Sequence, residues 1–474
     1  MFLFILSLFL QSAHANEAVI SRLLNDIKEN SLQMKASDFD YQANLIDLKS
    51  NLFVFEPTAF VRGGYSNRDT PPTSPFAPSN STVKDFEIGV AKQWSSGFST
   101  SLNYLFQDSE TSFPNRPDFN FVSPTLTLSL QTKIFQDLIY DRYGHLLVKN
   151  KINEDVTYLA TKIEKKNVLV QGLLDFSLLL EQKEELSLQE ELCRVTKTQN
   201  SNLRLKRKRG SVSKREYLLG QKELINCEAT IERLKRGFLE KKRQYASTYN
   251  NDFSSYKDIK TEKLFGAAET AYQNFNALNA KVDIEEQDQV LSLKNRVKGL
   301  EAAQSQLEAE ASTNLSFEVR SGLAGLDNST SSAHQDITGN DYPFVYVGLR
   351  LDLPIKNRDA VARAGANRYR LEALKKRKDL TINQKESRLG TLETTLKQDF
   401  VIYEKYKQAI GFSKAVIREA RRDFSNGRLD FNTVTEFNKS LIQDQKNLSS
   451  HRIQLIVRVV EYLDFFQYFD GYLN

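Results

Sequence analysis

The ten prolines of this chain lie at Pro57, Pro71, Pro72, Pro75, Pro78, Pro114, Pro117, Pro124, Pro343 and Pro354, so residues 125–342 and 355–474 contain none. Proline removes a backbone donor and clashes with the preceding turn, which excludes it from helix interiors. The two proline-free stretches can therefore carry helices of unusual length. Their apolar spacing agrees: Ile152, Val156, Leu159 and Ile163 recur at steps of four, three and four, and Leu389, Leu392, Leu396, Phe400 and Tyr403 at three, four, four and three. Charged residues fill the gaps, so these are narrow coiled-coil seams. Paired helices need only a stripe, which explains why 474 residues are 40% hydrophobic with a mean hydropathy of −0.47.

The proline-bearing regions have period two. Phe86, Ile88 and Val90 alternate with Asp85, Glu87 and Gly89, and Leu102, Tyr104 and Phe106 with Ser101, Asn103 and Leu105. Leu126, Leu128 and Leu130 alternate with Thr127 and Ser129, and Leu315, Phe317 and Val319 with Ser316, Glu318 and Arg320. Val345, Val347, Leu349, Leu351 and Leu353 do the same, and 59–65 follows less cleanly, giving six candidate strands. Strands of about ten residues with one apolar face are the pattern of a transmembrane β-barrel. A half-exposed soluble sheet shares that alternation; the connections favour the barrel. Residues 66–83 and 108–120 read as long outer loops, and Trp94-Ser95-Ser96-Gly97 as a tight turn.

The N-terminus points to export. An apolar block from Met1 to Leu10 precedes Ala13-His14-Ala15, a small-x-small site, so residues 1–15 read as a signal peptide although they hold no Lys or Arg. A net charge of +5 over 125 charged residues selects no partner. Seven of the thirteen residues from Arg204 to Glu216 are basic, but in an exported chain that run belongs to a solvated helix end, not to nucleic acid. No metal-ligand spacing, phosphate loop or nucleophile motif occurs, so we expect no enzyme activity and no cofactor or metal.

An internal repeat organises the chain. "RKRGSVSKREYLLGQKEL" aligns with "FSNGRLDFNTVTEFNKSL" at an offset of 217, and Leu128-Ser129-Leu130 with Leu349-Arg350-Leu351 at an offset of about 221. Val61-Arg62 aligns with Val319-Arg320 at 258, so the first half carries about 40 extra residues, accounted for by a hairpin within 84–107. Leu138 to Gly210 and Ile355 to Gly427 both span 72 positions, roughly 108 Å of helix. The return paths are 214–249 with 262–311 in one half, and 431–468 with the N-terminal helix 17–51 in the other.

This arrangement resembles the TolC family of outer-membrane efflux and secretion ducts over essentially the whole mature chain. "DYPFVYVGLRLDLPIKNRDAVARAGANRYRLEALK" is similar to the family's strand running through Pro and Asn-Arg into a long helix, and "FEIGVAKQWSSGFSTSLNYLF" to a hairpin of some relatives. The resemblance implies an α+β membrane protein: long antiparallel coiled-coil hairpins forming a periplasmic tunnel, plus a β-barrel shared between three subunits. The expected parts are an N-terminal tunnel helix 16–52, strands in 53–135, a helical hairpin 136–249 with its tip at 209–214, a break and return helix 250–311, strands in 312–354, and a second hairpin 355–474 with its tip at 426–431. A homotrimer in the outer membrane of a Gram-negative bacterium follows. Its partners would be a periplasmic adaptor and an inner-membrane pump of RND or ABC type, serving efflux or type I secretion.

Gly210 and Gly427 suit the left-handed residue after a helix end. Ser213 and Glu216 form a capping box, and Asp430 can cap the second turn. The resemblance makes Arg209, Gly210, Ser211, Val212 and Ser213, with Asn426, Gly427, Arg428, Leu429 and Asp430, the adaptor-docking tips. It places the family's acidic tunnel aperture at Thr433 and Glu436, only one of which keeps a carboxylate. Cys193 and Cys227 lie 17 residues on either side of Gly210, at equal heights in such a hairpin. A disulfide and two free thiols both fit that placement. A periplasmic or surface coiled-coil scaffold without a pore is the alternative function. A cytosolic nucleic-acid binder requires that the first fifteen residues stay uncleaved.

Overall fold

The computed structural model describes residues 14–69, 71, 74, 78–113, 116–256, 259–277, 282–353, 358–426 and 428–473. The expected signal peptide, apart from His14 and Ala15, lies outside the described residues, as do Pro354 and Gly427. The fold is rich in helix with one antiparallel sheet. Helices α1 (His14–Asn30) and α2 (Leu32–Ser50) lead to strands β1 (Thr58–Asp69), β2 (Asn80–Gln93), β3 (Phe98–Phe113) and β4 (Arg116–Lys133). Then come α3 (Arg142–Lys208), α4 (Lys214–Tyr249), α5 (Thr261–Ala277) and α6 (Asp288–Ala311). The second half supplies β5 (Asn314–Ala324), α7 (Thr330–Gly339), β6 (Tyr342–Asp352), α8 (Arg358–Ser425) and α9 (Phe431–Phe465).

The two longest helices, α3 and α8, contain 67 and 68 residues, each about 100 Å at the helical rise. Three expectations change. The N-terminal helix is two helices meeting at Ser31, whose N–H still donates to the Ile27 carbonyl at 3.0 Å and whose carbonyl accepts from Lys35 N–H at 3.3 Å. The return segment 262–311 is α5 and α6, because Asp283 caps a short turn between them by accepting from Glu285 N–H at 2.9 Å. The segment 108–120 is mostly strand and 66–83 is strand at both ends: Phe113 pairs with Arg116 and Asp69 with Asn80. Their Ser, Thr and Asn side chains bond across the ladder, as Asn80 does to Asp69 at 2.5 Å. Between β5 and β6 lies α7, started by Ser329, whose hydroxyl accepts from Ser332 N–H, and ended at Asn340 in the left-handed region.

The chain divides into two compact units. One comprises the residues up to Tyr41, Tyr158–Leu291 and the residues from Asp379 onward. Its core joins Leu23, Leu24 and Ile27 of α1 to Leu169, Leu173 and Phe176 of α3, Leu264 of α5, Leu392 and Leu396 of α8, and Ile456 and Val459 of α9. Aromatic rings close it: Phe176 packs on Tyr245, Phe253 and Tyr256, with ring centroids 5.3–6.1 Å apart. Two lysines of this unit are held in ion pairs. Lys162 bridges Asp288 at 2.9 Å and Asp470 at 2.6 Å, and buried Lys166 reaches Asp288 and Asp464, each at 3.3 Å.

The other unit, Gln42–Thr157 and Ser292–Lys378, holds the whole sheet. Its six strands run in chain order as an antiparallel meander, β1-β2-β3-β4-β5-β6. The hairpin β2–β3 lies inside that order, between β1 and β4. Its turn is the expected tight one: Trp94 N–H donates to the Phe98 carbonyl at 2.7 Å, and Gly97 adopts φ +89°.

Candidate functional site

The register puts most apolar positions of the six strands on one face, Phe60, Leu105 and Phe344 being exceptions on the other. One row across the sheet reads Val61, Ile88, Tyr104, Leu126, Leu323 and Pro343, and the row two positions away reads Ala59, Val90, Leu102, Leu128, Ser321 and Val345. The intervening row, on the opposite face, includes Asn103 and Thr127, and the next one out reads Thr58, Ala91, Ser101, Ser129, Arg320 and Tyr346. On that face Arg62 pairs with Glu87, which also accepts from Asn103 at 3.3 Å, and Arg320 pairs with Glu318 at 2.6 Å. Alternation thus survives as two chemically distinct surfaces six strands wide.

The apolar face is bare over most of its area. Val345 is 72% exposed, Leu349 69% and Val61 66%. A monomeric soluble protein rarely leaves so large a contiguous apolar patch in water. Part is covered by α7, whose His334 stacks on Phe106 and meets the Tyr104 hydroxyl at 2.6 Å. Strands β1 and β6 each pair on one side only, so each presents a row of unpaired backbone groups. No described helix is long and apolar enough to cross a membrane.

In the other unit the two helical turns are brought together. Helix α3 ends as its residues predict: Gly210 takes φ +75°, Gly210 N–H donates to the Arg207 carbonyl at 3.0 Å, and Ser211 N–H to that of Lys206 at 2.9 Å. Ser213 begins α4 by accepting from Glu216 N–H at 3.1 Å. At the second turn Asp430 accepts from Thr433 N–H at 2.8 Å and from its hydroxyl at 3.0 Å. The backbone amide of Thr433 chiefly, with its hydroxyl, holds the Asp430 carboxyl below its ordinary pKa. Leu203, Ala420, Phe424, Phe431 and Val434 form a common core, with Val212, Tyr217 and Leu429 against it. Lys206 ties the turns by donating to the Phe424 carbonyl at 3.0 Å. Arg209, Ser211, Asn426 and Arg428 stay exposed around it.

Among the aperture positions, Thr433 is engaged by the cap and Glu436 is exposed, pairing with Lys439 at 3.4 Å. Lys439 also reaches Glu223 at 3.0 Å. Cys193 and Cys227 are joined in a disulfide with Cα atoms 5.7 Å apart, inside a small core with Leu192 and Ile442. No group of His, Cys, Asp and Glu able to hold a metal occurs among the described residues.

One basic feature went unread in the sequence. An open groove of about 770 Å³ in the sheet-bearing unit is lined by Lys149, Arg296, Arg363, Arg370 and Arg377, with Glu310. Its cations come from three helices distant in the chain, and only the step of seven from Arg363 to Arg370 to Arg377 could have signalled it.

No protein-family model matches the sequence, and no curated protein matches it significantly. Solved structures do match the fold. The outer membrane protein VceC of Vibrio cholerae superposes with a TM-score of 0.68 at 10% identity, covering 94% of this chain and 96% of that one. The CmeC outer membrane channel of Campylobacter jejuni gives 0.68 at 10% identity, over 94% and 85%. The MtrE outer membrane channel of Neisseria gonorrhoeae gives 0.64 at 9% identity, over 94% and 87%. On these superpositions, which cover 94% of its length, this chain has the fold of the TolC family of outer-membrane efflux channels.

Proposed function

We propose that the protein is a passive outer-membrane duct, assembled from three copies, that carries cargo delivered by an inner-membrane pump through a periplasmic adaptor. The observation that carries this reading is the sheet: an apolar face exposed across six strands, backed by a polar face, with both edges unpaired. Lipid satisfies the first, a water-filled lumen the second, and neighbouring copies the third. The two coiled-coil hairpins, related by the internal repeat, would form the periplasmic tunnel, and energy would come from the pump.

The exposed residues of the paired turns, Arg209, Ser211, Asn426 and Arg428, support adaptor docking there. The turns are not equivalent, since the first is ringed by Lys and Arg and the second carries a single Arg, so two different adaptor contacts follow. Three copies of Glu436 would make a cation-attracting ring at the tunnel end.

Reconstitution in planar bilayers tests the duct. Discrete conductance steps from detergent-extracted trimers are expected, with Glu436→Ala weakening block by multivalent cations. A non-conducting protein that stays soluble without detergent would favour the coiled-coil scaffold instead.

A further inference from the structure

The hairpin β2–β3 is extra sequence in the first half of the repeat, and two placements are open to such an insert. It can hang beside a barrel built from β1, β4, β5 and β6, or it can be part of the wall. We propose the second: three copies close an 18-stranded barrel whose wall includes β2 and β3, wider than four strands per copy would give. This rests on the duct reading above.

Four observations carry it. First, β1 does not touch β4. Twelve consecutive pairs, Thr58↔Ala91 to Asp69↔Asn80, join β1 to β2, and β3 continues from Phe98↔Thr132 onto β4. Removing the hairpin from the wall would leave β1 unpaired along its whole length. Second, the hairpin obeys the same two-face rule as its neighbours: Ile88 and Leu102 fall in the apolar rows, Ser101 and Asn103 on the polar face. An appendage in water has no need of an apolar face in register with the rest.

Third, the edges fit each other. With six strands alternating in direction, β6 runs opposite to β1, so β6 of one copy beside β1 of the next continues the antiparallel pattern without a break. The two edges are matched in length at 11 and 12 residues. Fourth, one copy cannot close alone, since the smallest transmembrane barrels have eight strands. The occupant of each edge is therefore a second copy of this chain. At a strand spacing of about 4.8 Å and a tilt of about 40°, 18 strands give a backbone diameter of about 36 Å, against about 24 Å for 12.

The test uses single cysteines in the full chain embedded in lipid vesicles, the native pair being held in its buried disulfide. Ile88→Cys and Leu102→Cys should resist a water-soluble maleimide and react with a lipid-soluble one. Ser101→Cys and Asn103→Cys should react with the water-soluble reagent, and Leu349→Cys on β6 should behave like Ile88→Cys. Native mass measurement should find three chains. If all four hairpin positions label alike from water while Leu349→Cys stays protected, the hairpin lies outside the wall and the 18-stranded barrel is wrong, with the duct intact. Assemblies of two chains would also overturn it. If Leu349→Cys too labels freely from water, the sheet is not in lipid and the duct reading fails with the inference.

Discussion

The two units of this chain place their apolar residues in opposite ways. In the helical unit Leu23, Leu24, Ile27, Leu169, Phe176 and Leu264 are almost completely sequestered, and Lys162 and Lys166 of the same unit are ion-paired with Asp288. In the sheet unit Val61, Val345, Val347 and Leu349 stand bare on a continuous surface, on the two edge strands that are each paired along one side only. A core finished within one copy is built for water. In the proposed duct, a surface left open within one copy faces lipid, and neighbouring copies complete its edges. The contrast explains how a chain with a low mean hydropathy can supply the apolar surface that the proposed duct requires: its apolar residues lie on one face of a sheet and on narrow helical seams.

The largest test of the contrast is a deletion in the finished core. Phe176→Ala removes a fully buried ring and should cost about 3–5 kcal/mol in denaturant unfolding of the helical unit. Leu349→Arg sharpens the other side. A cation on a lipid-facing strand should cost about 2–4 kcal/mol near the bilayer midplane, read as loss of heat-modifiable oligomers in the membrane fraction. On a water-facing sheet the same change would be harmless, and its tolerance would break the comparison.

A smaller effect is expected at the helical turns, where neither medium is at stake. Asp430→Ala should cost about 1 kcal/mol, as loss of a helix cap does. Because bonding from Thr433 lowers the Asp430 pKa, its contribution is complete above the ordinary carboxylate pKa and disappears as pH falls through the lowered value. A wild-type minus Asp430→Ala difference that vanishes in acid checks the sign.

Much of this was legible in the sequence because the governing patterns are local. The strand positions 86–90, 102–106 and 345–351 and the seam residues Leu392 and Leu396 all declare themselves through spacing, and Gly210 and Ser213 through cap chemistry. The upper parts of β1 to β4 were not legible. Their Ser, Thr and Asn residues carry a loop composition, and only pairing across strands, a non-local property, makes them strand. Likewise α7 is a polar decapeptide whose stability comes from Ala333 and His334 lying against the sheet. The cysteines lay at equal heights by counting, but whether they face each other depends on helix rotation, which spacing does not specify. The meeting of the two turns through Leu203, Phe424 and Phe431 is non-local in the same sense.

The most direct measurement is amide hydrogen exchange on the protein in lipid nanodiscs, resolved to peptides covering β1, β3 and β6. If neighbouring copies complete the sheet, the edge strands Thr58–Asp69 and Tyr342–Asp352 are protected as strongly as the interior strand Phe98–Phe113. Edge strands that exchange within seconds while β3 stays protected would contradict it, because the sheet would then end where a single copy ends.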